Sequence, residues 1–418
     1  ITWRSALGMP LGIMGGKAQY AFADASDDYI KIPGEMLQEK EGAYMVQMTS
    51  ELWETIYMDQ MQLVVVDHPD SVDVFVPEQF SPPPFPGLEL FQFEQKQHPL
   101  SATDDKGNDL RAFITKKDDR YISNFKPDKY QGVTEMHDLI LDFGELKSTE
   151  NVFLILNGWI FPTDASINVA LSQSDEIQVH PPNIQVINEK GEWETVIANL
   201  GFPMGKDKNV IADLSGRFLS KDHRVRIQTN MEIYWDEIFL AKNNPRVPVR
   251  STTLNPIAAD LHYRGFSRTY KKGGRYGPHW FDYDEVDLNT KWRDLTGNYT
   301  RYGDVLPLLT DPDNQYIVSN AGDETTIKFD ANKLPKLQQG WTRDFLIHSV
   351  GWVKDGDLNT AHGNSVLPLP YHGMGSYPPS EKDIYPNTPE LQEYHAEYNT
   401  RIVTDEGYRK GIKQKSLQ

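Results

Sequence analysis

One sequence segment occurs twice in the chain, and this internal repeat constrains the fold more than any other feature. Each copy reads Phe-Leu-Ile, then Gly-Trp, then an aspartate and an asparagine in the following loop. The copies span 153–168 and 345–359. Two further pairs repeat in the same way: 7–12 with 200–205, and 54–59 with 232–236. Because repetition of this kind means that one structural unit was copied, the copies are expected to fold alike.

The repeated segments have the pattern of short, half-buried strands. Between Arg224 and Thr229, long polar side chains alternate with smaller or apolar ones, which is the two-residue period of a strand with one buried face. Long amphipathic helices are rare, and the best helical candidate is Glu390 to Tyr398. The sequence therefore predicts an all-β protein of several antiparallel β-sandwich units, of jelly-roll or galactose-binding-like type. We expect long irregular linkers between these units and a C-terminal tail that is mostly coil.

One complete sandwich is predicted at 98–245, since this stretch holds both halves of the repeat in order. The rest of the chain divides around it as a half-unit at 1–76, a proline-rich linker at 77–97, a basic-aromatic insertion at 246–295, a half-unit at 296–370 related to 98–170, and an extended tail at 371–418. The two half-units either join each other across the molecule or are each completed by their own neighbours. We favour the second alternative, in which residues upstream of this chain complete 1–76.

Composition excludes several classes of function. The formal net charge of −18 disfavours nonspecific binding to nucleic acid. The chain has no cysteine, so it can form neither disulfides nor thiolate metal sites. No apolar run approaches the roughly 20 residues that a membrane-spanning helix needs. Because the chain begins at Ile1 inside a repeat, we expect it to be a processed or fragmentary C-terminal part of a longer protein.

The loops after the two Gly-Trp pairs are the strongest candidates for a metal site. The loop after Trp352 alternates oxygen-bearing side chains at Asp355, Asp357 and Asn359, and the other loop does so less completely between 164 and 168. Such alternation can hold a hard cation such as Ca²⁺. The structural alternative, which we favour, is that these side chains cap a turn through their own hydrogen bonds.

Two acids in matching repeat positions, Asp59 and Asp236, are the candidates for catalysis. A pair of carboxylates a few ångströms apart can hydrolyse a glycosidic bond. Because the two lie in different repeats, we expect structural roles for both. The chain contains no nucleophile elbow, phosphate-binding loop or dinucleotide fingerprint.

A basic-aromatic segment stands out in this acidic chain, and Arg275, Tyr276 and Trp280 are its candidate ligand-binding residues. The aromatic rings could form a platform for a sugar, or the segment could dock on another acidic domain or subunit. The structural alternative is an irregular insertion that packs on its own protein, with arginines stacked on aromatic rings.

Several long phrases resemble the C-terminal region of large bacterial secreted proteins that carry FG-GAP β-propeller repeats and an ASPIC/UnbV (cartilage-acidic-protein-like) module. The phrases that carry this resemblance include LGMPLGIMGGKAQYAFADASDDYIKIPGEML, ELWETIYMDQMQLVVVDHPDSVDVFV and GWVKDGDLNTAHGNSVLPLPYHGM. The resemblance implies an exported protein, periplasmic or at the cell surface, with a propeller upstream of this chain. It implies no catalytic residues, because the family's biochemical role is poorly defined.

These observations favour a non-enzymatic binding or assembly protein without a cofactor other than Ca²⁺. Its expected partners are the upstream propeller or another subunit, through protein–protein contacts, or a surface glycan. The alternative is a carbohydrate-active enzyme of glycoside hydrolase type that takes its acids from separate repeats.

Overall fold

The structure is a computed structural model that describes residues 23–80, 87–123, 125–161, 163, 165–205, 207–271 and 279–415. Its strands, in chain order, are β1 (Ala23–Ile32), β2 (Ala43–Thr49), β3 (Glu54–Pro69), β4 (Asp73–Phe75), β5 (Phe91–Phe93), β6 (Ser101–Asp104), β7 (Val133–Asp142), β8 (Phe153–Ile160), β9 (Asn183–Ile187), β10 (Trp193–Ile197), β11 (Lys208–Asp213), β12 (Val225–Met231), β13 (Ile233–Ala241), β14 (Arg250–Leu254), β15 (Pro256–Tyr263), β16 (Phe266–Lys271), β17 (His279–Asp287), β18 (Gly297–Tyr299), β19 (Gly303–Asp304), β20 (Ile317–Asn320), β21 (Asp323–Asp330), β22 (Trp341–Asp355) and β23 (Arg401–Val403). The α-helices are α1 (Ala165–Ser172), α2 (Pro389–Glu397) and α3 (Glu406–Lys415), and short 3-10 helices lie at Gly34–Met36, Arg111–Phe113, Leu306–Leu309 and Ala331–Lys333. All pairings between these strands are antiparallel, which confirms the predicted all-β class.

The first sandwich is formed by strands that lie between 101 and 241. One sheet has the order β10-β9-β12-β7-β6 and the facing sheet has the order β11-β8-β13. Alternate side chains of both sheets meet in one apolar core, to which Leu139, Leu156 and Ile227 belong. Burying side chains of this size contributes about 1.5–3 kcal/mol each, so the core is the main source of stability here.

The second sandwich combines strands from both sides of the first one in the sequence. One sheet has the order β1-β22-β3-β14, with β20 also paired to β3, and the other has the order β19-β15-β21-β2. Their shared core includes Leu63, Phe329 and Ile347, each fully buried.

The two predicted half-units therefore pair with each other, which is the alternative that we did not favour. Strand β3 pairs with β22 along nearly its whole length, and β2 pairs with β21. The expectation that residues upstream would complete 1–76 is replaced by this pairing for the described residues 23–76. The sequence pattern identifies a half-buried strand but not its partner. The predicted insertion at 246–295 is also shorter than expected, because β14 and β15 are strands of the second sandwich.

The register of the strands places the two copies of the repeat in equivalent positions. Trp159 on β8 lies opposite Tyr234 on β13, and Trp352 on β22 lies opposite Tyr57 on β3. In both sandwiches the register then shifts by one residue. The extra residue of each bulge is the repeated aspartate, Asp236 in one and Asp59 in the other. The two copies thus place these residues at matching positions of their strand pairs.

A glycine lies beside each bulge because no larger residue fits there. Gly158 pairs with Trp235, and Gly351 pairs with Met58. A Cβ atom on Gly351 would lie 2.0 Å from the carbonyl oxygen of Tyr57, and one on Gly158 would lie 2.7 Å from that of Tyr234. The glycine of each Gly-Trp pair is thus explained by the close approach of the bulged neighbouring strand.

The described part of the proline-rich linker joins the edges of the two sandwiches. Glu78 is 2% exposed, and its carboxylate accepts hydrogen bonds from the backbone nitrogens of Lys31 on β1 and Asn209 on β11. The backbone nitrogen of Glu78 in turn donates to the carbonyl oxygen of Asn209. Residues 78–80 therefore bridge two edge strands, which also satisfies backbone groups that would otherwise be left unpaired.

The C-terminal tail packs on the second sandwich. Helix α2 matches the helix predicted at 390–398, and its Leu391 and Tyr394, together with Tyr398, belong to the second core. Among the described residues, no helix is both long and apolar enough to cross a membrane.

Candidate functional site

Strands β16 and β17 form a two-stranded hairpin, here called the arm, which pairs with no other described strand. Between Leu261 and Phe281 the sequence has five Lys or Arg residues and no Asp or Glu, although the chain as a whole is strongly acidic. Most described side chains of the arm beyond Ser267 are exposed or half-buried. The arm therefore joins a basic first strand and connecting segment to an acidic second strand, which carries Asp282, Asp284, Glu285 and Asp287. Arg268 of the first strand forms an ion pair with Glu285 of the second at 2.7 Å.

A buried carboxylate, that of Glu51, fixes one side of the base of the arm. It is 7% exposed and accepts hydrogen bonds from the backbone nitrogen and the hydroxyl of Ser267, at 2.9 and 2.6 Å. Arg264 also contacts this carboxylate, at 3.3 Å. Charge-assisted bonds of this kind are stronger than neutral ones, so the first turn of the arm is rigidly held.

A second buried carboxylate, that of Glu324 on β21, fixes the other side. Tyr283 of the arm donates its hydroxyl proton to Glu324 over 2.7 Å, and Arg264 lies 3.3 Å from the same oxygen. Burial, together with this hydrogen bond, raises the pKa of Tyr283 to about 12. The guanidinium of Arg264 also stacks on the ring of Tyr283, 4.0 Å from its centroid.

Of the predicted ligand-binding residues, Trp280 lies on β17 of the arm. Trp280 is half-buried and pairs across the strands with Tyr270, which is 39% exposed. Arg275 and Tyr276 lie outside the described residues. The described structure thus contains one aromatic cross-strand pair, Tyr270 with Trp280, on a firmly anchored hairpin. In the sequence, Arg275 and Tyr276 lie between these two aromatic residues.

The predicted pair of catalytic acids occupies two separate sites, one in each sandwich. Asp236 is fully buried, and its two oxygens accept hydrogen bonds from the backbone nitrogens of Asp118 and Asp119, both at 3.2 Å. Burial raises the pKa of Asp236 to about 6, although these two bonds oppose the shift. Asp59 is also fully buried, and its Oδ2 lies 2.6 Å from Nε2 of His372. Each carboxylate is therefore hydrogen-bonded by residues close to it, and the two carboxylates do not form one site.

The predicted metal-binding loop forms a hydrogen-bonded turn at the end of β22. Asp357 accepts a hydrogen bond from the backbone nitrogen of Asn359, at 2.9 Å, which is the turn-capping role of the structural alternative. Asp355 is the last residue of β22 and pairs with Glu54, whose pKa burial raises to about 7. In the described part of the chain, no three His, Asp or Glu side chains converge as metal ligands. Asp164 of the other loop lies outside the described residues.

A cavity of about 690 Å³ lies between the C-terminal tail and the segment that follows β22. Prolines and leucines form much of its wall, and the polar groups come from Asp383, Asn387, Gln392 and His395. Burial lowers the pKa of His395, so its imidazole is neutral at pH 7. The hydroxyl of Tyr385 lies 3.3 Å from Nε2 of this histidine.

The sequence reasoning missed the buried groups that hold the arm and the bulge aspartates. Glu51, Arg264 and Glu324 are far apart in the sequence, and His372 is distant from Asp59. A signal was available for Arg264 alone, because it lies in the basic-aromatic segment. Glu51 and Glu324 could not be distinguished from the many surface acids of this chain.

Comparisons with known proteins leave the family open. No protein-family model and no curated protein matches the chain. A solved structure of infectious bursal disease virus, Gx strain, aligns over 78% of this chain and 82% of its own, with 8% identity and a TM-score of 0.13. A TM-score this low carries no argument about fold or function.

Proposed function

We propose that this chain is a non-enzymatic, exported binding and assembly protein, and that the arm is its contact surface. The single observation that supports the proposal is an aromatic hairpin with a basic first strand, held by two buried carboxylates on an acidic scaffold. Rigid anchoring lowers the entropy lost on binding, and aromatic and arginine side chains dominate the energy of contact surfaces. Following the sequence resemblance, the protein is a C-terminal part of a larger propeller-containing protein in the periplasm or at the cell surface.

We expect the partner to offer anionic groups to the first strand of the arm and the segment after it, because residues 261–281 contain five Lys or Arg and no Asp or Glu. An acidic face of the propeller or of another subunit fits this requirement, and so does an acidic surface glycan. Binding to either should weaken as salt rises, since exposed charges are screened within about 10 Å at 0.1 M salt.

The test compares Trp280→Ala with Trp193→Ala, which removes a partly buried tryptophan of the first sandwich. Affinity electrophoresis in gels that contain a uronic acid polysaccharide or neutral dextran measures glycan binding, and sedimentation at low and high salt measures self-association. Retention by the acidic glycan, or salt-sensitive association, should be lost in Trp280→Ala alone. The proposal fails if the wild-type chain shows neither, or if both variants behave alike.

The enzymatic alternative is examined with the same preparations. Release of reducing sugar that is abolished by both Asp236→Asn and Asp59→Asn, with folding retained, would replace the binding proposal. No geometry in the described residues favours this outcome, because the two acids are fully buried and bond to different segments.

A further inference from the structure

The two Gly-Trp loops, one from each sandwich, contact each other. Ser166, at the start of α1 in the first sandwich, donates its hydroxyl proton to Oδ1 of Asp357 in the second. Asn359 donates from its side-chain amide to the same hydroxyl oxygen, over 2.8 Å. Repeated segments that are far apart in the sequence thus meet at one point in space.

The carboxylate of Asp357 is buried at this point without a cationic partner. Its residue is 2% exposed, and Oδ1 is occupied by Ser166 and by the backbone nitrogen of Asn359. Among the described residues, no group donates a hydrogen bond to Oδ2, and no Lys, Arg or His forms an ion pair with Asp357. Because a buried carboxylate is costly unless it is paired or coordinates a metal, Oδ2 is a strong candidate ligand.

The same turn contains a second buried oxygen, Oγ1 of Thr360. The backbone nitrogen of Asp357 donates to the carbonyl oxygen of Gly363 over 2.6 Å, which closes the turn. A Cβ atom on Gly363 would lie 2.9 Å from both Cβ of Asp357 and Oγ1 of Thr360, so these two side chains flank the same point beside Gly363. Like Oδ2 of Asp357, this hydroxyl is buried and has no hydrogen-bond partner among the described residues.

A second Asp-Leu-Asn tripeptide in this chain shows that turn capping alone does not require this environment. Asp287 accepts a hydrogen bond from the backbone nitrogen of Asn289 at 2.9 Å, as Asp357 does from Asn359. Asp287 is exposed, however, whereas Asp357 is buried. The two tripeptides therefore share the capping role and differ in the burial of the carboxylate.

We propose that Ca²⁺ binds at this turn through Oδ2 of Asp357 and Oγ1 of Thr360, and thereby strengthens the contact between the two loops. Carboxylate and hydroxyl oxygens are ligands for hard cations, and Ca²⁺ tolerates irregular sets of six to eight oxygens that include carbonyls and water. Mg²⁺ requires stricter geometry and so binds more weakly here. Because the site has one buried carboxylate, the expected dissociation constant is in the weak range of about 10⁻⁴–10⁻³ M that is typical of extracellular modules.

The experiment titrates the whole chain with CaCl₂ and, separately, with MgCl₂. Trp53 is the reporter, since its carbonyl oxygen accepts a hydrogen bond from the backbone nitrogen of Gly356 and its indole packs against this glycine. We expect a saturable change in tryptophan fluorescence with Ca²⁺. Thermal unfolding in 10 mM CaCl₂ should favour the folded state about tenfold more than in chelator, and so raise the melting temperature by about 2–4 °C.

The variants separate a calcium site from a turn cap. Asp357→Asn and Thr360→Val should each weaken calcium binding at least tenfold, whereas the matched control Asp287→Asn should bind as the wild type does. Should Asp357→Asn fail to fold, Thr360→Val and equilibrium dialysis of the wild-type chain with radioactive calcium decide the matter. The proposal is overturned if the wild-type chain binds no calcium at 10 mM, or if Thr360→Val binds it unchanged.

Discussion

The two sandwiches place an aspartate at the same bulge, but they satisfy its carboxylate with different parts of the chain. In the first sandwich the donors to Asp236 are backbone nitrogens of residues 118 and 119, in the segment before β7. In the second, Asp59 is bonded by His372 and, at 3.3 Å, by the backbone nitrogen of Asn314. The hydrogen bonds to Asp236 therefore come from within its own sandwich, whereas one of those to Asp59 comes from a side chain of the C-terminal tail.

The aromatic residues around the two aspartates differ in the same way. Tyr121 of the first copy donates its hydroxyl proton to Asp207 of the same sandwich. The hydroxyl of the matching Tyr316 donates to the carbonyl oxygen of Pro370, and the backbone carbonyl oxygen of Tyr316 accepts from the hydroxyl of Tyr394 in α2. The tail is therefore an integral part of the second sandwich, and the two copies should respond differently to mutation.

The largest expected effect is that of Tyr394→Ala. Tyr394 is 2% exposed and contributes both its ring and its hydroxyl to the second core, so truncation should lower the free energy of unfolding by about 3–5 kcal/mol. Urea unfolding followed by circular dichroism measures the loss. Ile402→Ala is the control in the same tail, because Ile402 is 75% exposed and should change stability little. A small effect of Tyr394→Ala would show that the second sandwich does not depend on the tail.

A smaller effect concerns the pH dependence that Asp236 gives to the first sandwich. Since burial raises the pKa of Asp236 to about 6, the folded state binds this proton more tightly than the unfolded state, in which the carboxyl has its ordinary pKa of 3.8. The contribution to stability is fully present below about pH 3.8 and is lost as the pH rises through about 6. The stability of the wild type relative to Asp236→Asn should therefore fall on the order of 2 kcal/mol between pH 4 and pH 7.

The control for this titration is Asp222→Asn. The hydrogen bond from Arg224 lowers the pKa of Asp222, so the stability of the wild type relative to this variant should rise with pH instead of falling. Denaturant unfolding at several pH values measures both differences. A difference for Asp236→Asn that does not change with pH would mean that the carboxylate keeps an ordinary pKa at its bulge.

The repeat made the equivalent residues of the two sandwiches predictable from the sequence. The pairing of distant strands and the contacts of the tail were not predictable in this way. The repeated sequence segments predicted that Trp159 is equivalent to Trp352 and Asp59 to Asp236, because a copied unit keeps the order of its residues. The joining of the half-units could not be read in this way, since a strand pattern specifies which face is buried but not which strand pairs with it. The role of His372 was equally hidden, because a contact across 313 residues leaves no local pattern.

The smallest expected effect is that of His372→Ala on the second sandwich. The variant removes the donor 2.6 Å from Oδ2 of Asp59 and leaves the bond from Asn314. The side chain of His372 is 38% exposed, so water can replace part of this interaction, and the expected loss is about 1 kcal/mol. His372→Gln keeps a donor and should recover part of the loss. Asp236 has no such contact from the tail, so amide hydrogen exchange should increase near Asp59 and remain unchanged in β13. Equal increases at both bulges would contradict a local role for the histidine and would indicate that the two sandwiches unfold as one unit.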